Sequence, residues 1–403
     1  MPIELTANTE PGARLVALAE ELATEIAGRA ATHDREASYP FESLEALRHA
    51  GYLAAPIPVE HDGMGVGSVH DLVVAAGRLA RGDASVAIGA NMHLAVVCNI
   101  VRGWEAAVAA GKERRAAAVG ATLRELAREG AVIATAVSEP GQDITRPATT
   151  ATQTPDGWRI DGRKIFCTMS PAATVLYTAV AFADEAGGER YGYARVPSDA
   201  PGLVIHGDWD ALGMRASGSH SVTFDGVELP RSALGRGFPI GSAVSYMEVN
   251  LPAGLFHASA SLGIAESAQG IAAGGLRARN GDARGPMLLA DSEVELTAAR
   301  GALARAATLV DDHYAAGRRR DDGERVTAVF AEAQAAKTFV NEAAVRIVDR
   351  ALALSGGAGY LNGHPLARAY RDVRAGAFMH PLGANRAYEL VGAVALGREP
   401  ALH

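Results

Sequence analysis

The stretch Ala377-Phe378-Met379-His380-Pro381-Leu382, preceded by Ser355-Gly356-Gly357-Ala358-Gly359-Tyr360 and by Arg371-Asp372, closes the most regular part of the chain. Upstream of it lie three Ala-rich apolar patterns at helical spacing, Gly241–Ala273, Asp291–Ala316 and Ala328–Ala353, each longer than 20 residues. Periodicity sustained over that length predicts long helices, and three in succession predict a helical bundle. A histidine immediately before a proline, just beyond such a bundle, is either a capping residue or a site residue.

Further toward the N-terminus the pattern changes. From about Ala131 to Pro230 apolar and polar residues alternate, with Gly, Pro and Asp at the breaks. Trp158–Arg163, Ala179–Phe182 and Ser221–Val227 read as strands, which predicts an antiparallel β block. Before it, residues 11–125 read as mostly helical. Leu15, Leu18, Ala19, Leu22 and Ile26 recur at helical spacing, and further helices are expected around Phe41–Tyr52, Ser68–Ala80 and Ser85–Trp104. The expected organisation is an α+β fold in three parts: an N-terminal helical domain over 1–128, a middle β domain over 129–236 and a long-helix bundle over 237–403.

The bulk properties narrow the function. The chain has 403 residues, 48% of them hydrophobic and 21% charged, which suits a soluble globular protein of two or three subdomains. Aromatics are only 5%, so Ala, Val and Leu must fill the cores. The net charge is −8, and the one basic run, Arg318-Arg319-Arg320, is followed by Asp321-Asp322. It reads as a solvated helix end, and nucleic acid is not an expected partner. The most apolar run, near Ser85–Val101, is interrupted by Asn91, His93 and Asn99 and falls short of a membrane span. No secretory signal and no membrane are expected, and Cys98 and Cys167 suit a reducing cytoplasm. No Cys/His spacing fits a metal site.

Four motifs, in order, carry a family resemblance over nearly the whole chain. They are Val137-Ser138-Glu139-Pro140-Gly141, Gly162-Arg163-Lys164-Ile165-Phe166-Cys167-Thr168, Leu212-Gly213-Met214-Arg215-Ala216-Ser217 with Val222–Val227, and Gly356-Gly357 through Tyr360, Pro365, Arg368 and Arg371-Asp372. This set resembles the acyl-CoA dehydrogenase superfamily, and the resemblance implies that fold. It also implies a flavin. Val137 and Ser138 should approach one edge of the isoalloxazine, Phe166 should lie beside the ring in the usual Trp position, and Thr168 should hydrogen-bond near N5. Without the resemblance, Ser138 and Thr168 would pass for ordinary turn and strand residues.

The sequence departs from the family pattern in ways that bear on the reaction. Met379-His380-Pro381-Leu382 stands where many dehydrogenases carry a Tyr-Glu-Gly-Thr stretch, so His380 occupies the position of the glutamate base. The alternative glutamate position, on the first bundle helix, falls near Ala253 or Gly254, neither of which can act. Glu248 is more than a turn away and reads as solvated or helix-starting. FAD-bound members also carry an Arg-x-x-Phe-Gly stretch and a Gln before the Gly-Gly pair. Here that region has Arg279 and Arg284 but no Phe, and Ala353 stands at the Gln position. Loss of the grip on adenine is expected if the flavin is FMN, with Arg279 or Arg284 pairing to a phosphate and Gly356 and Gly357 near the cofactor.

These departures resemble the flavin monooxygenase branch of the superfamily, which includes dibenzothiophene monooxygenase and the amino-sugar nitrososynthases. The resemblance implies reduced FMN from a separate flavin reductase, oxygen added at C4a to give a hydroperoxyflavin, and oxygenation of a small molecule, with N-oxygenation of an amino sugar as one possibility. His380, His93, Thr168 and Ser170 are the expected donors near the reacting oxygen, and His257 is expected to line the substrate cavity. The alternative is an FAD-dependent acyl-CoA or acyl-carrier-protein dehydrogenase with His380 as base, passing electrons to an electron-transfer flavoprotein. A third reading is a scaffold that has lost its chemistry; the retained flavin-edge residues argue against it. Arg215 and Arg368 read as ties between domains. The long apolar faces of the bundle, with the family's habit, imply a homotetramer.

Overall fold

The structure is a computed structural model and describes residues 3–141, 143–278, 284–317 and 322–402. Arg279 and the Arg318-Arg319-Arg320-Asp321 run lie outside the described residues. Five helices come first: α1 (Glu10–Glu36), α2 (Phe41–His49), α3 (Val69–Ala80), α4 (Ala84–Ala109) and α5 (Glu113–Glu129). Their starts follow capping chemistry. The side chains of Thr9, Ser68 and Asp83 accept from the Gly12, Asp71 and Ser85 backbone N–H groups at α1, α3 and α4, satisfying donors that a helix start leaves without partners. The side chain of Asp71 in turn accepts from Thr9 and Asn8, which pins the start of α1 to α3.

Among the described residues α4 is the helix long and apolar enough to cross a membrane, and 89% of its apolar window is buried inside the protein. It is longer than the Ser85–Val101 run suggests. Asn91 and Asn99 do not end it because their amides donate to the Phe256 and Val249 carbonyls of neighbouring elements. It is therefore the apolar centre of the N-terminal helices.

The strands are β1 (Ile133–Ala136), β2 (Thr150–Gln153), β3 (Gly157–Cys167), β4 (Val175–Ala183), β5 (Glu189–Pro197), β6 (Leu203–Ile205), β7 (His220–Pro230) and β8 (Phe238–Pro239). They form one sheet in the order β6-β7-β3-β2-β4-β5-β8, with β1 beside β4. The expectation of an antiparallel block needs correcting, because the sheet is mixed. β1 runs parallel to β4, with Ile133 opposite Val175, and β2 meets β4 in parallel at Thr150 and Ala181. Strand alternation in sequence reports which face is buried, not the direction of the neighbour. The β3–β7 ladder slips between Lys164 and Cys167. At that slip Phe166 adopts left-handed backbone, φ 56°, an uncommon conformation for a bulky residue, and its ring is 59% exposed.

The last helices are α6 (Ala243–Val249), α7 (Ala253–Arg277), α8 (Gly285–Ala315), α9 (Gly323–Ser355), α10 (Pro365–Asp372) and α11 (Ala384–Ala395). The pattern read as one helix over Gly241–Ala273 is two. Pro252 has no N–H to donate and restricts Leu251 before it, so the chain breaks at 250–252. That break places Asn250 between the two helices, with its amide N–H on the Tyr246 carbonyl of α6. α7 is buried without interruption from Ala253 to Ala265 and packs against α3, α4, α8 and α9. Arg371 ties the bundle to α1 through a bidentate pair with Asp34. Arg215 donates to the Asp34 carbonyl at 2.8 Å and Arg368 to the Gly82 carbonyl at 3.3 Å, so both link domains through backbone oxygens. Glu248 is not solvated: it pairs with buried His313 at 2.9 Å.

Candidate active site

A cavity of about 630 Å³ opens where the three parts of the fold meet. One wall is the β domain: Thr135, Val137 and Ser138 beyond and within β1, and Phe166 and Thr168 at the end of β3. The opposite wall is helical, with Met92 and Val96 from α4 and Asn250, Ala253 and His257 around the α6–α7 break. Met379 and His380 close the end nearest the bundle. No Asp or Glu among the described residues lines the cavity.

The β wall is rigid for a stated reason. Lys164 is fully buried and its ammonium lies 2.6 Å from a carboxylate oxygen of Glu139. Glu139 also accepts from the backbone N–H groups of Ala148 and Thr149 and from the Thr149 hydroxyl. Burial raises the Glu139 carboxyl, but Lys164 and these hydrogen bonds outweigh it and hold the group below the ordinary carboxylate range. The 137–139 turn is thereby clamped to β3, and Ile165 N–H donates to the Ser138 carbonyl at 2.9 Å. Beside it the Phe166 ring meets the Trp209 ring edge-on at 6.0 Å. Thr168, Ser219 and Ser217 form a hydroxyl chain with spacings of 2.9 and 2.7 Å, all three lining the cavity. A clamped backbone edge, an apolar flat ring held open to the cavity and a run of hydroxyls are what the edge and face of a flavin ring require, so these residues fit that group.

The bundle end is built around His380. Its Nε2 lies 2.9 Å from Asn250 Oδ1. Asn250 Nδ2 donates to the Tyr246 carbonyl, which orients the amide with its oxygen toward the ring. His380 is then neutral, with the proton on Nε2 and Nδ1 as the acceptor. Burial, reinforced by nearby Lys337, pushes its pKa down to about 3. Lys337, from α9, is buried and donates to the carbonyls of Met379, His380 and Leu382, the last at 2.7 Å. Burial lowers Lys337 to about 7. Tyr246 donates to the Pro381 carbonyl at 3.1 Å. The turn that carries His380 is thus held by side chains from α6 and α9.

The cavity brings together Val137, Ser138, Phe166, Thr168, His257 and His380. His93 and Ser170 stand outside it, contrary to the expectation that they face the reacting oxygen. His93 accepts from Ile133 N–H at Nδ1 and donates from Nε2 to the Leu53 carbonyl, so both ring nitrogens serve the backbone. Burial lowers it to about 4. Ser170 is buried and donates to the Gly218 carbonyl at 3.1 Å. Arg284, at the start of α8, and Gly356 and Gly357, in the exposed turn after α9, do not line the cavity either. The sequence reading missed Asn250, Ser219 and Lys337. Lys337 left a signal, a lone cation among Ala333, Ala336 and Val340 on the buried face of α9. Asn250 left none, because its partner is 130 residues away.

Comparison with known proteins agrees with this geometry. The acyl-CoA dehydrogenase N-terminal, middle and C-terminal domain models match residues 14–107, 134–227 and 257–387. The chain is 34% identical to the amino sugar nitrososynthase DnmZ of Streptomyces peucetius, over 97% of this chain and 95% of that protein. It is 35% identical to the amino sugar nitrososynthase RubN8 of Streptomyces rubradiris, over 98% and 92%. The structure of KijD3 in complex with FMN and dTDP-3-amino-2,3,6-trideoxy-4-keto-3-methyl-D-glucose superposes with a TM-score of 0.90 at 30% identity, covering 98% of this chain and 96% of that one.

Proposed function

The chain belongs to the acyl-CoA dehydrogenase family, and from that premise we propose that it is a flavin-dependent monooxygenase that N-oxygenates the amine of a nucleotide-linked amino sugar. The observation that carries this reading is the absence, among the described residues, of any carboxylate from the cavity wall, with a neutral His380 where a dehydrogenase keeps its glutamate. Removing an α-proton from a thioester calls for a base whose pKa is near the working pH. An imidazole lowered to about 3 is too weak a base for that step. The same neutral ring suits an oxygenation, where a fixed hydrogen-bonding group is wanted and stray protons are not. The likeness to the nitrososynthases and to the FMN-bound KijD3 complex supports the flavin and the substrate class.

In this reading Val137 and Ser138 hold the polar edge of FMN, Phe166 covers its face and Thr168 hydrogen-bonds beside it. Reduced FMN, when bound, supplies the two electrons that split O₂, so that one oxygen atom joins the substrate nitrogen and the other leaves as water. His380 keeps its proton on Nε2, toward Asn250, and offers Nδ1 to the reacting centre. The apolar lining from α4 and Met379 excludes water. A separate flavin reductase delivers the FMN. A homotetramer and a cytoplasmic location complete the reading, both resting on the resemblance to the family.

Stopped-flow absorbance tests the reading. Reduced FMN is mixed anaerobically with the protein, then with oxygen, with and without the amino sugar nucleotide bound by KijD3. Slow flavin reoxidation without sugar, and a product carrying one added oxygen with it, are expected. Tightly bound FAD that an acyl-CoA bleaches in the absence of oxygen would instead establish a dehydrogenase.

A further inference from the structure

His257 lies just inside α7, is only 3% exposed and lines the cavity. Neither of its ring nitrogens has a hydrogen-bond partner among the described residues. That is unusual for a buried imidazole, because an unmade hydrogen bond in the interior is costly. His93, equally buried, commits both nitrogens to the backbone. Among the described residues no carboxylate lines the cavity beside His257. Gln334, fully buried with both amide atoms unpartnered among the described residues, faces Gly254, one helical turn before His257. Burial, and after it the nearby Lys337, hold the His257 ring neutral.

A neutral imidazole offers one N–H and one lone pair. His257 stands on the helical wall, whereas Val137, Ser138, Phe166 and Thr168 form the β wall that the flavin would occupy. A nitrogen nucleophile between the walls must keep its lone pair toward the flavin to accept oxygen. Its N–H bonds then point toward α7. An ammonium has no lone pair to give, and beside Lys337 with no carboxylate it would also be repelled.

Resting on the reading above that the substrate is an amine, we propose that His257 accepts a hydrogen bond from the substrate N–H and so selects an uncharged primary amine, with its lone pair turned to the β wall. His257 thereby becomes a specificity-determining residue, and His380 remains the group fixed beside the reacting centre.

Binding to the flavin-free protein tests this separately from turnover. The probes are dTDP-3-amino-2,3,6-trideoxy-4-keto-3-methyl-D-glucose and its N,N-dimethyl counterpart, which has no N–H when uncharged. By isothermal titration the wild type is expected to prefer the primary amine. His257→Phe should weaken that binding roughly tenfold or more while changing the dimethyl probe little. His257→Gln, whose amide oxygen can accept, should recover part of the loss. Thermal melts of both variants check the fold, and the Gln variant keeps the test alive if Phe does not fit. Equal preference for the two probes in the wild type, or unchanged amine binding in a folded His257→Phe protein, overturns the role of His257. If the wild type oxygenates the primary amine with reduced FMN while those binding results hold, only that role falls. If it neither binds nor oxygenates the amine, the amine reading falls with it.

Discussion

The Nε2 atom of His380 lies 2.9 Å from Oδ1 of Asn250, a residue 130 positions earlier that sits in the break between α6 and α7. Because Asn250 Nδ2 is committed to the Tyr246 carbonyl, the amide faces the imidazole with an acceptor. One proton position on the ring follows from this single contact. Lys337 holds the turn from behind through the Met379, His380 and Leu382 carbonyls. A ring with its tautomer, neutrality and backbone all held suits the hydrogen-bonding role proposed above for His380.

Asn250→Ala should release that ring. Turnover with the amino sugar is expected to drop roughly tenfold, the scale of one buried hydrogen bond, and more reducing equivalents should end as hydrogen peroxide. Asn250→Asp should act in the opposite electrostatic sense: a carboxylate beside the imidazole favours its charged form, so the His380 pKa rises. An NMR titration of the histidine ring resonances reads this directly. An unmoved His380 titration in Asn250→Asp would show that the contact does not exist in solution.

Mild acid should destabilise the fold through its buried histidines. His93 is lowered to about 4, His380 to about 3, and His257 well below the ordinary value of 6.5. In each case the folded state keeps the ring neutral while the unfolded chain takes up a proton below 6.5. Stability is therefore full above that value and is lost as pH falls toward the folded values, by about 1.4 kcal/mol per pH unit for each histidine. Over pH 6.5 to 5 the buried Asp372 carboxyl, raised by burial to about 7, acts in the opposite sense, so denaturant melts across that interval read a net loss smaller than the three histidines alone would give; the contribution of Glu139 is lost only below the usual carboxylate range. A flat stability across that interval would contradict the burial of these rings.

The Lys164–Glu139 pair should behave as a buried charge couple. Lys164→Met leaves the Glu139 carboxylate without its counter-charge and should cost about 3–5 kcal/mol. Adding Glu139→Gln, which removes the charge that Lys164 had balanced, should recover much of it. Urea unfolding of the two single variants and the double variant gives the coupling. Strict additivity would mean that the pair does not hold the 137–139 turn.

Phe166 and Thr168 should separate affinity from positioning. Phe166→Ala removes the exposed ring at the left-handed turn and is expected to weaken FMN binding roughly tenfold, on the scale of a lost aromatic contact. Quenching of flavin fluorescence measures it. Thr168→Val keeps the shape but breaks the hydroxyl chain to Ser219 and removes the hydrogen bond proposed beside the flavin; it should weaken FMN binding less than Phe166→Ala while slowing product formation more. The reverse pattern would mean that Phe166 only fills space.

Much of this was readable in one dimension. Helical spacing over α1, α3 and α7–α9 and alternation over β3, β4 and β7 each follow from which face of an element must be buried, and that is a local property of the residue order. The break at Pro252 was readable too, from the chemistry of proline, but was masked by strong periodicity on both sides of it. The parallel pairing of β1 with β4 was not readable, because a strand's own residues do not name its neighbour. The two histidines on apolar helices looked alike in sequence. His93 is spent on the Leu53 and Ile133 backbone, whereas His257 has no partner among the described residues and lines the cavity.

The sequence by itself determined the three-part architecture, the family and the loss of the glutamate at position 380, because these rest on residue identity and order. The tertiary structure alone decided what His380 is. Its neutrality comes from burial beside Lys337, and its proton position from Asn250, both delivered by elements remote along the chain. Long-range burial and hydrogen-bond geometry set protonation, and neither is written in the neighbours of a residue along the chain.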